Sequence, residues 1–352
     1  MSALGSAPIA SFPQPGVSYV MPVLNEVTHI RAAVESLLSQ DYAGPMEVTL
    51  ALGPSTDGTN EVIAQLCHED SRVHVVENPT AATPVGMNLA IVASQHPIII
   101  RVDAHSVLPR DYSRIAVETL LRTGADNVGG IMDAQGTTPF EKAVARAYGT
   151  KVGLGGSPFH IGGEEGPVDT VYLGVFNRES LLKVGMFNEE IRRGQDWELN
   201  RRFREAGGLV WFTPALKVVY RPRTSMRQLL NQMYSTGLWR GELSRRFPSA
   251  SSLRYFVPPI MVVATFLGVL AGLIGVVQAL SGHPSPSLLG WVIPGVYILF
   301  VLASTAVYGR GMGARGALNF PLVLPCIHFA WGIGFIMSYT RLSTNIAAQN
   351  GR

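Results

Sequence analysis

The chain has 352 residues, a formal net charge of +3 and 47% hydrophobic residues. That length allows one catalytic domain of roughly 200–250 residues and a smaller appended region. The small net charge does not favour a nucleic-acid-binding protein, so no nucleic-acid partner is expected. Two cysteines, Cys67 and Cys326, are too few for a disulfide framework or a structural zinc site. No Asp or Glu follows Glu242, so chemistry that needs a carboxylate is confined to the chain before it.

Residues 1–16 are rich in Pro, Ser and Ala and contain no Lys, Arg or long apolar run. This pattern predicts a disordered lead-in and not a signal peptide, which keeps the following domain in the cytoplasm.

Between Val17 and about Phe212, short apolar runs alternate with helical periods. Strands are predicted at Val17–Met21, Val48–Leu52, Val73–Glu77 and Ile98–Val102, with helical residues between them. This alternation predicts an α/β fold with a mostly parallel sheet and helices on both faces. Ligands of such sheets bind at the carboxyl ends of the strands, where four polar motifs fall.

The first two motifs follow the first two predicted strands. Pro22, Asn25 and Glu26 open a helix, where Asn25 suits a cap and Glu26 the positive end of the helix dipole. Ser55 and Asp57 belong to a Gly-rich turn whose polar groups suit a ribose or base. An ordinary capped helix and an ordinary turn are the alternatives.

The third motif is Arg101-Val102-Asp103-Ala104-His105, at the end of the most apolar strand. Asp103 and His105 point the same way if the strand geometry continues. A carboxylate and an imidazole together can hold a divalent cation, Mn²⁺ or Mg²⁺, whose other ligands are diphosphate oxygens and water. A capping Asp beside a surface His is the alternative.

The fourth motif runs from Gly194 through Gln195, Asp196 and Trp197 into a predicted helix that ends at Gly207. The helix dipole favours an ionised Asp196, which suits it as a general base toward a sugar hydroxyl. Gln195 and Trp197 are weak candidates for contact with the molecule that carries this hydroxyl. A simple helix cap is the alternative.

Three long uncharged runs follow, at Phe256–Leu280, Leu288–Val307 and Ala317–Tyr339. Each is long enough to cross the hydrocarbon core of a membrane, although internal prolines allow one of them to be re-entrant. The basic segment Lys217–Arg254 and the arginines near residues 310–315 predict a multi-pass plasma-membrane protein with a cytoplasmic catalytic domain.

Residues 223–255 are predicted to form a basic amphipathic helix lying at the membrane interface. Gln232, Trp239 and Arg240 are weak candidates for the acceptor or lipid side. The residues predicted to face lipid are Leu229, Leu230, Met233, Tyr234 and Leu238. The predicted segments are thus 1–16 (disordered), 17–222 (catalytic), 223–255 (interfacial), 256–340 (membrane helices) and 341–352 (tail).

The four motifs, in this order over about Val17–Pro222, resemble those of the inverting family 2 glycosyltransferases with the GT-A fold. The family pattern is Pro-x-x-Asn-Glu, Asp-Gly-Ser-Thr-Asp-Gly-Thr, Asp-x-Asp and then Glu-Asp before a helix. The membrane tail is similar to that of the succinoglycan-type exopolysaccharide branch. Two positions depart from the pattern: Leu52 and Gly53 stand where the family has a base-contacting Asp, and His105 replaces the second metal-motif Asp.

The resemblance implies a nucleotide-sugar donor bound near Pro22, Asn25, Glu26, Ser55, Asp57, Arg101 and Asp103. It implies a cation with the donor diphosphate at Asp103, and Asp196 as the base that activates the acceptor. His105 is a candidate ligand of that cation, with a contact to phosphate or sugar as the alternative, because imidazole is a poor ligand for Mg²⁺ and a better one for Mn²⁺. The expected acceptor is a lipid-linked or growing surface glycan, and membrane lipids are expected partners. The oligomeric state is not indicated.

Three other functions are compatible with parts of the sequence. A polyprenyl-phosphate glycosyltransferase would use the same donor site. A non-catalytic subunit would explain the missing pocket Asp. A transporter is disfavoured because the apolar runs contain no charged residue to mark a polar pathway.

Overall fold

The computed structural model describes residues 14–283 and 285–343. The predictions for residues 1–13 and for the tail beyond residue 343 lie outside this range. The chain divides into two compact units. The first contains the residues up to Gly130, Glu165–Glu190 and Asp196–Val218; the second contains Ile131–Glu164, Ile191–Gln195 and the residues from Val219 onward.

Eight strands form one sheet in the order β3-β2-β1-β4-β7-β5-β8-β6. The strands are β1 Val17–Val23, β2 Met46–Leu52, β3 Val73–Glu77, β4 Ile98–Arg101, β5 Asn127–Ala134, β6 Gly166–Pro167, β7 Tyr172–Asn177 and β8 Val210–Tyr220. The first four strands pair in parallel. Strand β7 pairs antiparallel with β4 and β5, and β6 pairs antiparallel with β8.

Twelve α-helices occur in the described part of the chain. They are α1 Ile30–Leu38, α2 Thr59–Glu69, α3 Thr83–Ala93, α4 Tyr112–Thr123, α5 Pro139–Tyr148, α6 Pro158–Ile161, α7 Arg178–Lys183, α8 Gln195–Glu205, α9 Met226–Arg246, α10 Val257–Leu280, α11 Val292–Tyr308 and α12 Gly313–Tyr339. Short 3₁₀ turns at Pro248–Ala250, Leu253–Phe256 and Pro286–Trp291 connect the last four.

The predicted fold class is confirmed. All four strand predictions coincide with β1–β4 to within a residue or two at their ends. Successive residues of β1, β2 and β4 are buried, which requires cover on both faces of the sheet. The core of the first unit is therefore built from the continuous apolar runs that made these strands recognisable.

Three helices in the second unit are long and apolar enough to cross a membrane: Leu253–Leu280, Pro286–Tyr308 and Gly313–Tyr339. They coincide with the three predicted runs and indicate membrane association. Helix α12 continues through Pro321 and Pro325, so neither proline divides it into a re-entrant pair. Neighbouring residues in a helical assembly can re-satisfy the backbone groups that prolines release.

One prediction about α9 is wrong. Leu229, Met233 and Leu238 do not face lipid but are buried, and α9 packs along α12 within the second unit. Glycines on both helices make this approach possible: a Cβ added at Gly237 would overlap the carbonyl of Trp331 on α12. Gly237 and Gly241 have the small-xxx-small spacing that brings helices together.

Candidate active site

The loops that carry the first three motifs are neighbours because β2, β1 and β4 are neighbours in the sheet. The strands run parallel, so their carboxyl ends lie at one edge. The motifs after these strands therefore meet at the place where ligands of open α/β sheets bind.

Hydrogen bonds join the first two motifs. The amide of Asn25 donates to the hydroxyl of Ser55 over 3.0 Å, and Asn25 Oδ1 accepts from the amide of Thr56 over 2.9 Å. The amide of Glu26 donates to Thr59 Oγ1 over 2.8 Å. Asn25 has a φ of +54°, in the left-handed region that Asn enters more readily than most residues.

Asp57, predicted to bind donor hydroxyls, holds this loop pair together. Its Oδ2 accepts from the amide of Val27 over 3.2 Å, and its Oδ1 accepts from the amide and hydroxyl of Thr59 over 3.1 and 2.5 Å. The Thr59 hydroxyl, with these amides, lowers the pKa of Asp57. Sequence reasoning missed Thr59, although it is the last residue of the Asp-Gly-Thr motif. A direct contact between Asp57 and a donor stays a prediction.

Glu26 links the first motif to the third. This carboxylate is buried, and its Oε1 lies 3.3 Å from Nδ1 of His105. Its Oε2 lies 3.3 Å from Nδ1 of His29. Glu26 thus orients the imidazole ring of His105 through Nδ1.

Arg101 links the third motif to the fourth. Its guanidinium is only 6% exposed, and its Nη1 donates to Oδ1 of Asp196. Its Nη2 donates to Oδ1 of Asp103 over 3.3 Å. One cation therefore holds the two carboxylates that the sequence assigns to opposite sides of the reaction. Asp103 and Asp196 are 24% and 26% exposed, so both remain open to a ligand.

The ionisation of Asp196 is set by opposing effects. Burial raises its pKa, the charge of Arg101 lowers it, and the charge of Asp103 raises it again; the net shift is upward. Burial alone would lower the pKa of Arg101, but the charges of Asp196 and Asp103 raise it above its usual value. The result is a carboxylate more basic than a surface Asp, beside an arginine that stays charged.

Helix α8 fixes the position of Asp196 in its first turn. Gly194 precedes the helix with a φ of +80°, a conformation that favours glycine. Below the first turn, buried Glu198 pairs with Arg202 over 2.9 Å, and Asn200 accepts from Asn127 over 2.6 Å. The hydrogen bond from Asn127 of β5 ties the helix to the sheet, which fixes the position of the Asp196 carboxylate.

A divalent cation at this site would depend on ligands from a substrate. Within the described residues, no three His, Cys, Asp or Glu side chains gather as a protein-only metal site. Asp103 uses one oxygen on Arg101 and is partly exposed through the rest of its carboxylate. Mg²⁺ and Mn²⁺ sites that combine one or two protein ligands with phosphate oxygens fit this arrangement.

The structure separates the weaker site candidates. Trp197 and Trp239 are buried, and a contact of either side chain with an acceptor stays a prediction. The guanidinium of Arg240 lies 4.3 Å from the ring centre of Tyr255. Gln232 is half-buried and hydrogen-bonded to Tyr148 and Tyr220, as described below. Pro22, near the end of β1, and Gln195, at the start of α8, are also half-buried.

Comparison with known proteins gives consistent results. Residues 18–185 match the sequence model of Glycosyl transferase family 2. The succinoglycan biosynthesis protein ExoA of Rhizobium meliloti (strain 1021) is 34% identical over 225 residues, which are 63% of this chain and 68% of that protein.

A second relative is named dolichyl N-acetyl-alpha-D-glucosaminyl phosphate 3-beta-D-2,3-diacetamido-2,3-dideoxy-beta-D-glucuronosyltransferase and comes from Methanococcus voltae. It is 25% identical over 234 residues, 64% of this chain and 73% of that protein. Among solved structures, the mannosyltransferase PcManGT of Pyrobaculum calidifontis in complex with GDP-Man and Mn²⁺ superposes with a TM-score of 0.58 at 17% identity. The match covers 93% of this chain and 89% of that one and establishes a shared fold.

The ordered motifs at one edge of the sheet, the family match and the relative at 34% identity agree with one another. The chain belongs to glycosyltransferase family 2 and is a glycosyltransferase with the GT-A fold.

Proposed function

We propose that this protein transfers one sugar from a nucleotide-sugar donor to a lipid-linked or growing surface glycan, with inversion at the anomeric carbon. The observation that carries this proposal is the bridge from Asp103 through Arg101 to Asp196. Because Arg101 holds both carboxylates, it supports a role for Asp103 at the donor diphosphate and for Asp196 at the acceptor hydroxyl.

In the proposed reaction, the acceptor oxygen attacks the anomeric carbon as the bond from that carbon to the diphosphate oxygen breaks. The acceptor proton passes to Asp196. Its Oδ1 is held by Arg101, so Oδ2 is the oxygen that receives the proton. The raised pKa of Asp196 strengthens it as a base, because proton transfer is favoured as the base approaches the acidity of its partner.

Asp103, with His105, would hold a divalent cation on the donor diphosphate. Such a cation neutralises the negative charge that develops on the leaving nucleoside diphosphate. The Mn²⁺ bound in the PcManGT complex supports this assignment. Asn25, Glu26 and Ser55 would shape the nucleotide pocket, since their loops are fixed against each other.

A membrane-linked acceptor is supported by the three long apolar helices and by the relative whose name specifies a dolichyl phosphate-linked sugar. We propose a multi-pass plasma-membrane protein with its catalytic unit in the cytoplasm. Arg310 in the α11–α12 connection and Arg315 in the first turn of α12 favour that side of the membrane.

The test is a transfer assay with radiolabelled UDP- and GDP-sugars and membrane lipid extract, with Mn²⁺ or with a chelator. Asp196→Asn should retain donor binding, measured separately by thermal shift, and lose transfer by several orders of magnitude. Asp103→Asn should lose the part of donor binding that depends on the cation. Asp41→Asn, at an exposed carboxylate in the α1–β2 connection outside the site, is the matched control.

Product analysis separates the two acceptor classes. Sugar found on a bare lipid monophosphate would assign the protein to the polyprenyl-phosphate glycosyltransferases. Sugar found on a lipid that already carries a glycan agrees with the main proposal. Full transfer by Asp196→Asn would refute the assigned base.

A further inference from the structure

Arg193 and Arg223 form a cationic cluster in the second unit, outside the site described above. Arg193 is half-buried, and its Nη1 donates to the hydroxyl of Thr236 over 3.3 Å. Burial and the charge of Arg223 lower the pKa of Arg193. Within residues 14–283 and 285–343, neither arginine has a carboxylate as an ion-pair partner. Two nearby like charges without an acid require a compensating anion or water.

The neighbouring polar side chains engage their acceptor oxygens in hydrogen bonds with each other, whereas several of their donor groups remain available to a ligand. Tyr148 donates to Gln232 Oε1 over 3.3 Å, and Gln232 Nε2 donates to the hydroxyl of Tyr220 over 2.8 Å. Tyr220 therefore accepts with its oxygen and keeps its proton for another partner. Thr236 accepts from Arg193 and donates to the carbonyl of Gln232. The remaining donors are the two guanidinium groups and one phenol, a set that selects an anion.

Tyr148 and Tyr220 of this region lie on α5 and at the end of β8, whereas Arg193 and Arg223 lie in the loops before α8 and before α9. Tyr148 and Tyr220 stack with ring centres 6.1 Å apart, and both arginines oppose the rise that burial causes in the pKa of Tyr148. Cys326 of α12, one of the candidate membrane helices, also raises the pKa of Tyr148. Arg223 is exposed, so a ligand can reach the cluster from outside.

We infer that Arg193, Arg223 and the hydroxyl of Tyr220 bind the phosphate groups of an isoprenoid lipid phosphate or diphosphate, the carrier of the acceptor sugar. Guanidinium groups match phosphate oxygens in charge and in hydrogen-bond geometry. The adjacent membrane helix provides the apolar surface that the lipid chain needs. This inference rests on the proposed function, which it extends by assigning residues to the acceptor carrier.

The experiment measures equilibrium binding of radiolabelled farnesyl diphosphate to the full-length protein in detergent. A chelator is present throughout, so that a cation-dependent donor site does not contribute. Arg193→Gln and Arg223→Gln should each weaken binding about tenfold or more, because each removes a charge-assisted hydrogen bond. Arg227→Gln, which removes an exposed charge from α9, is the matched control and should bind within about twofold of the wild type.

Two competitors identify the source of the phosphate. Farnesol should not displace the label, and inorganic diphosphate should displace it only at much higher concentration than unlabelled farnesyl diphosphate. Equal displacement by farnesol would show that the phosphate is not recognised. Equal displacement by inorganic diphosphate would assign the cluster to a soluble anion. Either result overturns the inference, as does unchanged binding by both arginine variants.

Thermal unfolding separates binding from structure. Arg223→Gln should leave the melting temperature unchanged or slightly raised, since it removes a repulsion and no ion pair. In the transfer assay, both variants should raise the KM for the lipid acceptor and leave the KM for the donor unchanged. Transfer with unchanged acceptor KM would refute this cluster and spare the proposed function. If the wild type transferred no sugar while both arginine variants still lost lipid binding, the proposed function would be refuted and the cluster supported.

Discussion

Replacing Arg101 by Met tests whether this arginine sets the basicity of the proposed catalytic carboxylate. Met fills a similar volume without charge, so the substitution removes the partner of Asp103 and Asp196 and leaves the fold of β4 in place. Arg101 lowers the pKa of Asp196, whereas burial and Asp103 raise it. Without Arg101, only the two raising effects remain, and the pKa of Asp196 must increase.

The size of the increase follows from the strength of the lost ion pair. Opposite charges about 4 Å apart interact by about 4 kcal/mol at an effective dielectric constant of about 20. Asp196 is 26% exposed, so solvent screens part of this energy. Taking about half of it, and about 1.4 kcal/mol for each pKa unit, gives a rise of about one to two units.

The assay is the pH dependence of kcat/KM for sugar transfer between about pH 5 and 9. The acidic limb reports ionisation of the base in the free enzyme, so it should move upward by about one to two pH units in Arg101→Met. Arg101→Lys keeps one charge and should shift the limb less. Arg178→Met removes an arginine that donates to the backbone carbonyl of Ile91 and should not shift it. An acidic limb in Arg101→Met at or below its wild-type position would refute the reasoning.

Three further substitutions test other parts of the structure. Glu47 accepts from the Ser18 hydroxyl and the Gln95 amide; burial raises its pKa, but these bonds outweigh it and the net shift is downward. Glu47→Gln should therefore cost about 1–2 kcal/mol of stability at pH 7. That difference should disappear as the pH falls from about 4.3, the unfolded value, through the lower pKa of the folded state, as followed by thermal unfolding. Gly237→Ala should lower the melting temperature by the equivalent of about 2–3 kcal/mol through overlap with α12, whereas Gly295→Ala, which meets no neighbour, should not. Thr59→Val breaks the loop pair and should raise the donor KM about tenfold with little change in kcat; an unchanged KM would separate this loop from donor binding.

Much of the first unit could be predicted from the sequence because its strands are buried on both faces. Residues 98–100 are all isoleucine, which predicts a buried strand, and all four positions of β4, Ile98–Arg101, are buried in the structure. The order of the motifs then placed Asn25, Ser55 and Asp103 at one edge, since parallel strands end together. The antiparallel second half of the sheet was less visible, because β6 has two residues and β5 contains an irregular pairing.

The pairings between distant residues could not be predicted in the same way. Arg101 and Asp196 are far apart in the sequence, and no local period relates them. The burial of Leu229 and Leu238 was missed for a different reason. An apolar helix face has the same composition whether it contacts lipid or another helix. The glycines at positions 237 and 241 distinguish the two cases, because they allow close contact with another helix. That contact could be recognised only after the structure placed α12 against them.

Two features of the active site make sense only if stability was not the property that shaped it. The Nε of Arg101 is buried and, within the described residues, has no hydrogen-bond partner, which costs free energy that a hydrophobic side chain at the end of β4 would not. Asn25 holds a left-handed backbone that most residues avoid. Both features position polar groups. Arg101 binds one oxygen of each carboxylate and so fixes the direction of the other oxygen. The turn at Asn25 brings Ser55 and Thr56 into hydrogen-bonding contact with the first motif. If the cationic bridge contributed only stability, Arg101→Met would lower the melting temperature, because it leaves two carboxylates without their partner, and the pH profile of transfer would stay in place. A stable Arg101→Met protein with a displaced pH profile is therefore the outcome that distinguishes a residue kept for chemistry from one kept for folding.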